Sequence, residues 1–282
     1  MNTYRKLIYP YIVWGSVFIL LPMLLIFLYA VTMPGNSTIS LQFTLKNFTK
    51  FFDPVFLKVL LKSLQIAGMT TVVCLVIGYP LAYVISRRSD RVQTLLILLI
   101  TIPMWINMLV RTYAWISILS DKGIINTVLG FFGIGPLKLM YTDFAVIVGM
   151  VYNFLPFMII QIYNVLAKMD ESLIEASYDL GANRYQTFRK IIFPLSLSGV
   201  ISGITLVFLP SLSTFVIPQF LGGGTVLIGN LIEKQFINIG DYNFGSAISL
   251  IMAALIMLSM HLANRYDRDL EDRSVAKEAK VS

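Results

Sequence analysis

The sequence has little of the side-chain chemistry on which enzymes and metal sites depend. Cys74 is the only cysteine and His261 the only histidine among 282 residues. One cysteine cannot form a disulfide or a thiolate metal site within the chain, and one histidine does not make a metal site. The sequence also lacks a Gly-Lys-Ser/Thr phosphate-binding loop and a pair of catalytic carboxylates within reach of each other. We therefore expect no covalent chemistry and no cofactor bound by this chain.

The sequence also contains few charged residues. Charged residues make up 13% of the chain against 57% hydrophobic residues, and the mean hydropathy is +0.77. No ordinary soluble domain has this balance. A helix needs about 20 apolar residues to cross a bilayer. Runs of that order occur at 8–33, 63–86, 93–118, 143–167, 196–218 and 244–264. The composition predicts an all-α, multi-pass membrane protein with six transmembrane helices.

The 22 Lys and Arg residues are divided unevenly between the loops. If the N-terminus is cytoplasmic, fourteen of them lie in inner segments and seven in outer segments. Three of the fourteen, Arg87, Arg88 and Arg91, share one short inner loop, where the cytoplasmic bias of basic residues is strongest. Both termini are therefore predicted to be cytoplasmic. The basic residues form no continuous groove, so the net charge of +7 does not indicate a nucleic-acid partner.

No stretch outside the spans is long enough for a soluble catalytic domain, so we expect a single transmembrane domain over 1–282. Its predicted parts are a first span at 8–33, core spans within 63–264, a cytoplasmic loop at 168–195 and a cytoplasmic tail at 265–282. The tail mixes both charges and is either a solvated helix or disordered. The longest outer loop, about 34–62, contains one short amphipathic piece. The loop at 219–243 opens with a glycine turn and continues as a short helix.

The inner loop at 168–195 contains signals for two short helices. Residues 172–175 fit a capping box of Ser and Glu, and residues 183–186 fit the same scheme with Asn and Gln. Gly181 lies between them, where a left-handed helix end needs glycine. Pro194 is then placed to open the fifth span, where its missing N–H has no cost.

The two predicted helices have different faces. Apolar residues form a stripe on the first helix and a patch on the second: Leu173, Ala176 and Leu180, then Phe188, Ile191 and Ile192. The first helix also carries Glu171, Glu175 and Asp179. An interfacial helix resting on lipid headgroups is one reading, but anionic lipid would repel these carboxylates. A protein partner is the other reading, and it suits the acidic face better.

The same segment resembles the EAA loop of permease subunits in type I ABC importers. That pattern reads Glu-Ala-Ala, then Gly-Ala, then Ile-x-Leu-Pro before the next span. The matching residues are Glu175, Ala176, Gly181, Ala182, Ile192 and Pro194, and the departures are Ser177, Phe193 and Ser198. The resemblance implies a MetI-like fold in which this loop seats in a groove of an ATP-hydrolysing subunit. The coupling residues that it implies are Glu175, Ala176, Asp179, Gly181, Ala182, Arg184, Phe188 and Pro194.

Over nearly the whole chain the resemblance narrows to permease subunits of spermidine/putrescine importers. Residues 101–115, 155–158 and 227–248 are similar to that branch, although Tyr242-Asn243 stands where the branch commonly has Trp-Pro. Permeases for ferric iron, sulfate and thiamine share the architecture and stay open as alternatives. The resemblance implies a location in the plasma (inner) membrane. The partners that it implies are a second, homologous permease subunit in a heterodimer, two cytoplasmic ATPase subunits holding ATP and Mg, and an extracytoplasmic substrate-binding protein.

A polyamine is best held by carboxylates and aromatic faces. The candidate residues for the translocation path are Trp105, Asn107, Arg111, Tyr113, Tyr152, Asn153, Phe215 and Gln219, with Trp115 beside them. The candidate acidic residues at the outer mouth are Asp121, Asp143, Glu233 and Asp241. No span interior contains an acidic residue, so either the second permease supplies carboxylates or the path is aromatic and weakly binding. Each aromatic residue also fits a lipid-interface belt, and the amides also fit packing between helices.

Arg111 is the one formal charge within a predicted span. A cationic cargo would be repelled by it, so we expect it to bond carbonyls or a carboxylate near the outer gate, or to reach the outer interface. A channel and an intramembrane enzyme are the alternatives from other classes of protein. A channel would need pore-lining polar rings and no ATPase partner. An intramembrane enzyme would need a nucleophile or metal ligands in a span, where the sequence offers only scattered Ser and Thr.

Overall fold

The computed structural model describes residues 2–33 and 42–278. These residues form fourteen α-helices, with bounds as follows: α1 Asn2–Ala30, α2 Lys46–Lys50, α3 Pro54–Ser86, α4 Asp90–Thr101, α5 Met108–Leu119, α6 Ile124–Phe131, α7 Asp143–Leu166, α8 Glu171–Asp179, α9 Arg184–Thr187, α10 Phe193–Leu195, α11 Leu197–Ser213, α12 Val216–Leu221, α13 Ile228–Glu233 and α14 Tyr242–Glu278. A 3₁₀ turn covers Ile102–Trp105, and π-helical turns cover Phe188–Ile192 and Lys234–Ile239. No strand occurs in this part of the chain, which confirms the all-α prediction.

Four described helices are long and apolar enough to cross a membrane: Ile8–Ala30, Pro54–Ser86, Asp143–Leu166 and Tyr242–His261. The predicted third span is bent instead, by 93° between Asp90–Trp105 and Met108–Phe131. A second bend, of 61° between Arg184–Leu195 and Leu197–Ser213, lies at the start of the predicted fifth span. The described chain therefore has six crossing segments only if each bent pair counts as one.

Local chemistry explains the break in the predicted third span. Ile106 and Asn107 are extended, and the Asn107 side chain accepts a hydrogen bond from the N–H of Leu109 at 2.8 Å. A side-chain cap of this kind begins a new helix. Pro103, just upstream, has no N–H to continue the old one. Hydropathy does not register either effect, so the segment predicted as a span at 93–118 is a bent pair of helices and not one straight helix.

Two other predicted boundaries need correction. The second span begins at Pro54, nine residues before the predicted 63, because Asp53 caps it by accepting from the N–H of Val55. The fifth span helix begins at Leu197, after the bend, so Pro194 lies in the preceding short helix and does not open the span. Residues 34–41 of the predicted loop and 279–282 of the tail lie outside the described residues. The tail backbone is helical as far as Glu278.

Helices α3, α7 and α11 pack against one another to form the core, and α1 packs mainly against α14. Glycines allow the close approach of α7 and α11. A Cβ at Gly203 would lie 2.7 Å from the Met158 sulfur, and one at Gly199 would lie 2.8 Å from the Gln161 carbonyl oxygen. Small residues serve this purpose where helices associate in lipid. We call the end where α3 and α7 begin the mouth end, and the opposite end, where α8 and α9 lie, the hairpin end.

Candidate functional site

The residues at 170–195 form a helical hairpin, as the sequence predicted. Its first helix is not capped by Ser172: Asp170 is the N-cap, and its carboxylate accepts from the Ser172 N–H at 2.9 Å. The Ser172–Glu175 capping box was therefore wrong, because the helix begins two residues earlier than the sequence signal placed it. The Asn183–Gln186 capping box is confirmed, with reciprocal bonds of 2.9 and 3.0 Å.

The turn between the two helices has the geometry expected from Gly181. Its φ is +81°, in the left-handed region that favours glycine. Gly181 N–H donates to the Tyr178 carbonyl at 2.9 Å, and Ala182 N–H donates to the Ser177 carbonyl at 3.0 Å. This pair of bonds is the Schellman arrangement, which satisfies carbonyl groups at a helix end. The local sequence thus determines a tight, hydrogen-bonded turn.

The inward face of the hairpin is bonded to itself and to α3. Ser177 and Thr187 are buried and share a hydrogen bond of 2.9 Å between their hydroxyl groups. The Phe188 ring meets Tyr79 edge-on at 5.7 Å between centroids and Tyr83 at 6.4 Å. Tyr79 is buried, and its hydroxyl shares a bond of 2.8 Å with Ser196. Sequence analysis missed Tyr79, because a tyrosine in an apolar span gives no local signal of its partner.

An ion pair also joins the hairpin to α3. An Arg87 Nη1 lies 3.6 Å from a Glu171 carboxylate oxygen, and the guanidinium lies over the Tyr83 ring at 5.5 Å. Arg87 Nε and Nη2 are buried and have no partner among the described residues. A buried donor without an acceptor is costly. Arg87 therefore retains bonding capacity beside the hairpin.

The outward face of the hairpin combines apolar and charged groups. Its exposed residues include Leu173, Glu175, Ala176, Tyr178, Asp179, Leu180, Arg184 and Tyr185. The predicted stripe of Leu173, Ala176 and Leu180 thus faces away from the bundle, and Leu180 is 88% exposed. Ile174 is packed against the core. The arrangement leaves an apolar surface with acidic groups on a hairpin fixed to α3 from behind.

The path candidates fall into two groups. Arg111, Tyr113 and Trp115 of α5 lie beside α7 and α12: Trp115 meets Tyr152 edge-on at 5.5 Å, and Tyr113 lies 5.1 Å from the Phe220 ring. Arg111 lies within electrostatic range of Tyr152, and its Nε and Nη1 are buried with no partner in the described chain. Because Tyr113 and Trp115 are two positions apart on α5, they face different neighbours, and the contacts form two separate aromatic pairs beside Arg111.

The remaining path candidates lie elsewhere. Trp105 is 78% exposed at the bend, where Asn107 caps α5. Phe215 precedes α12, and Gln219 is exposed on that helix. Asn153 is 4% exposed, and its Nδ2 donates to the Gly149 carbonyl of its own helix at 2.8 Å. The Asn153 side chain is therefore buried within this subunit and bonded to its own helix.

Two of the four candidate mouth carboxylates are already paired. Asp143 forms an ion pair with Lys62 and accepts from the Thr225 hydroxyl at 2.9 Å. Asp241 lies 3.3 Å from the Lys50 ammonium. Asp121 is exposed after α5, and Glu233 is partly buried at the end of α13. Ammonium groups of this chain therefore occupy two of the four carboxylates that sequence analysis offered to a cationic cargo.

Comparison with known proteins agrees with this architecture. Residues 74–274, more than half of the chain, match the family described as binding-protein-dependent transport system inner membrane component. The spermidine/putrescine transport system permease protein PotB of Escherichia coli (strain K12) is 39% identical over 264 residues, covering 92% of this chain and 96% of that protein. PotB of Haemophilus influenzae is 38% identical over 259 residues, covering 89% and 91%.

Among solved structures, a chain of a bacterial ABC transporter involved in the import of the acidic polysaccharide alginate has a TM-score of 0.79 to this chain. The sequences are 17% identical, and the match covers 94% of this chain and 95% of the other. At that identity the likeness concerns the fold alone. From the family match and its close relatives, this chain belongs to the binding-protein-dependent transport system inner membrane components.

Proposed function

We propose that this membrane transport subunit is the permease of an ATP-driven importer for polyamines such as spermidine and putrescine. The observation that carries the cargo assignment is the identity of 39% to a spermidine/putrescine permease along almost the whole length of both chains. The two aromatic pairs, Tyr113 with Phe220 and Trp115 with Tyr152, suit a flexible cation, because aromatic faces attract ammonium groups. Carboxylate ligands for the cargo would come from a second, homologous permease subunit.

The motor would be separate from this chain. Two cytoplasmic ATPase subunits would hold ATP and Mg and grip the outward face of the hairpin, where Glu175, Ala176, Asp179, Leu180 and Arg184 are exposed. Gly181 and Ala182 would preserve the turn, and Phe188 would transmit movement to α3 through Tyr79. An extracytoplasmic binding protein would deliver cargo at the mouth end. The bias of basic residues supports a cytoplasmic location for both termini and the hairpin.

The test is reconstitution of the whole importer, with the cognate ATPase, sister permease and binding protein, in liposomes. Spermidine should stimulate ATP hydrolysis and be taken up, whereas thiamine, sulfate and ferric iron should not. Stimulation by one of those solutes instead of spermidine would contradict the cargo assignment and leave the importer assignment standing.

A second arm tests the coupling surface. Leu180→Asp puts a charge on the most exposed apolar residue of the hairpin and should reduce spermidine uptake at least tenfold, with the permease still folded and inserted. Leu45→Asp is the matched control: Leu45 is also an exposed leucine, at the mouth end. Equal uptake by both variants would contradict a grip on the hairpin.

A further inference from the structure

The segment between α5 and α7 has an unusual distribution of charge. Residues 123–137 contain no Asp, Glu, Lys or Arg, and lysines stand directly on both sides, at Lys122 and Lys138. Helix α6, Ile124–Phe131, forms the first half of this segment. The segment leads into α7, and it therefore lies towards the mouth end of the bundle. The transport function described above makes no use of it.

One face of α6 is apolar and uncovered. Ile124, Val128, Phe131 and Phe132 are spaced at i, i+4, i+7 and i+8, which places them on one side of a helix. Phe131 is 85% exposed and Phe132 is 76% exposed. No aromatic ring in the described part of the chain packs against either of them. Such a face is stable only if something apolar covers it.

Hydrogen bonds hold this segment in one conformation, so its exposed apolar face is a fixed part of the structure. Asn126 is buried, and its Nδ2 donates to the carbonyls of Ser120 and Leu137 at 3.2 and 3.0 Å, while its Oδ1 accepts from the Leu137 N–H at 2.8 Å. Gly133, with a φ of +72°, ends the helix, and the Ile134 N–H donates back to the Leu129 carbonyl at 3.1 Å.

We propose that α6 is an interfacial anchor, with this apolar face immersed in the bilayer interface at the mouth end. Both flanking lysines are exposed, and their ammonium groups would reach lipid phosphates while the stems lie along the apolar region. Thr127 donates its hydroxyl to the Gly123 carbonyl at 2.9 Å, so its donor is already satisfied when the helix enters the interface. The anchor would fix the mouth-facing end of α5, and with it Arg111 and Trp115, at a constant depth.

The test places an environment-sensitive fluorophore on Phe131→Cys in the assembled importer. The vesicles contain phosphatidylethanolamine and phosphatidylglycerol, with nitroxide lipids labelled near the headgroup. Cys74 is fully buried and should not react, and a Cys74→Ala background checks this. Lys234→Cys, an exposed residue outside the segment, is the control. The label at 131 should be quenched severalfold more by nitroxide lipid, and less by aqueous iodide, than the label at 234.

Strong iodide quenching at 131 without lipid quenching would overturn the proposal, because the face would then be in water. If the label at 131 is protected from both quenchers only when binding protein is added, the proposal is also overturned, because the face would then be a protein-binding surface. The double variant Lys122→Gln/Lys138→Gln examines the lipid phosphates. It should weaken lipid quenching in phosphatidylglycerol vesicles more than in vesicles of phosphatidylcholine alone. Unchanged quenching in both would contradict the role of the lysines.

Discussion

At the scale of single residues, the attachment of the hairpin to α3 depends on a few contacts between distant parts of the sequence. Tyr79 shares a hydrogen bond with Ser196 across 117 positions and supports the Phe188 ring. Ser196 lies at the 61° bend between the hairpin and α11. A hydroxyl at this position therefore joins three elements, and it would make them move together when a motor pulls on the hairpin.

Tyr79→Phe should change the stability of the fold only slightly but should weaken the coupling of ATP hydrolysis to transport. Loss of one hydrogen bond should lower the free energy of unfolding by only about 0.5–1.5 kcal/mol. We expect a larger effect on the ratio of spermidine transported to ATP hydrolysed, because the bend is freed from α3. Transport and hydrolysis measured together in liposomes give this ratio.

Tyr83→Phe is the matched control for that measurement. Tyr83 also contacts Phe188, but its hydroxyl makes no hydrogen bond within the described part of the chain. The control should leave the ratio unchanged. If both variants behave alike, the Tyr79–Ser196 bond has no special role in coupling.

At the scale of elements, polar contacts secure the ends of helices. The cap of α8 is Asp170, and the pKa of its carboxyl is lowered because it accepts hydrogen bonds from the backbone N–H and the hydroxyl of Ser172. At the other end of the bundle, Asn243 joins α14 to the end of α1. Its Nδ2 donates to the carbonyls of Tyr29 and Thr32, both at 2.8 Å.

The α8 cap should depend on pH. A carboxyl whose pKa is depressed in the folded state stabilises it fully above the ordinary value of about 3.9, and this stabilisation is lost as the pH falls through the lowered pKa. Amide exchange in the first turn of α8, corrected for intrinsic rates, should therefore accelerate in acid. Asp170→Asn keeps a capping oxygen without a titratable proton and should remove this dependence. Persistence of the acceleration in Asp170→Asn would point to another group.

Asn243→Ala should loosen α1 from α14. The side chain is buried, and its removal takes one donor from each of two carbonyls that keep other donors, such as Asn47 Nδ2 at 3.0 Å from the Thr32 oxygen, so the cost should be about 0.5–1.5 kcal/mol. We expect a lower Tm and easier proteolysis of the α1 region in detergent. Asn238→Ala removes an exposed asparagine without a bonded side chain in the described chain, and it should change neither property. Equal losses in both variants would mean that the Asn243 contacts do not secure α1.

At the scale of the whole molecule, the bent segments determine what the membrane domain can offer to a cargo. The 93° bend after Trp105 separates the direction of α5 from that of α4, and α5 packs against α7 and α12. Its Trp115 and Tyr113 rings thereby meet Tyr152 of α7 and Phe220 of α12. The two paired mouth carboxylates, Asp143 and Asp241, form ion pairs within the chain and so contribute to its structure.

Topology gives a global prediction. In a Cys74→Ala background, Ser89→Cys lies in the short basic loop and Asp121→Cys lies after α5, and both positions are exposed. A membrane-impermeant maleimide should label position 121 in intact cells and position 89 only after permeabilisation. The reverse pattern would invert the orientation argued from the basic residues and would place the hairpin outside.

The sequence by itself determined the all-α membrane class and the hairpin, because hydropathy, the Asn183–Gln186 box and the left-handed Gly181 are local signals. It could not place the bend at Asn107 or the cap at Asp170, since each competes with an equally plausible local signal nearby. Only the tertiary structure joined Tyr79 to Ser196 and Lys62 to Asp143. Such pairs depend on which helix faces pack together. The free energy of that packing comes from contacts between segments that are far apart in the sequence.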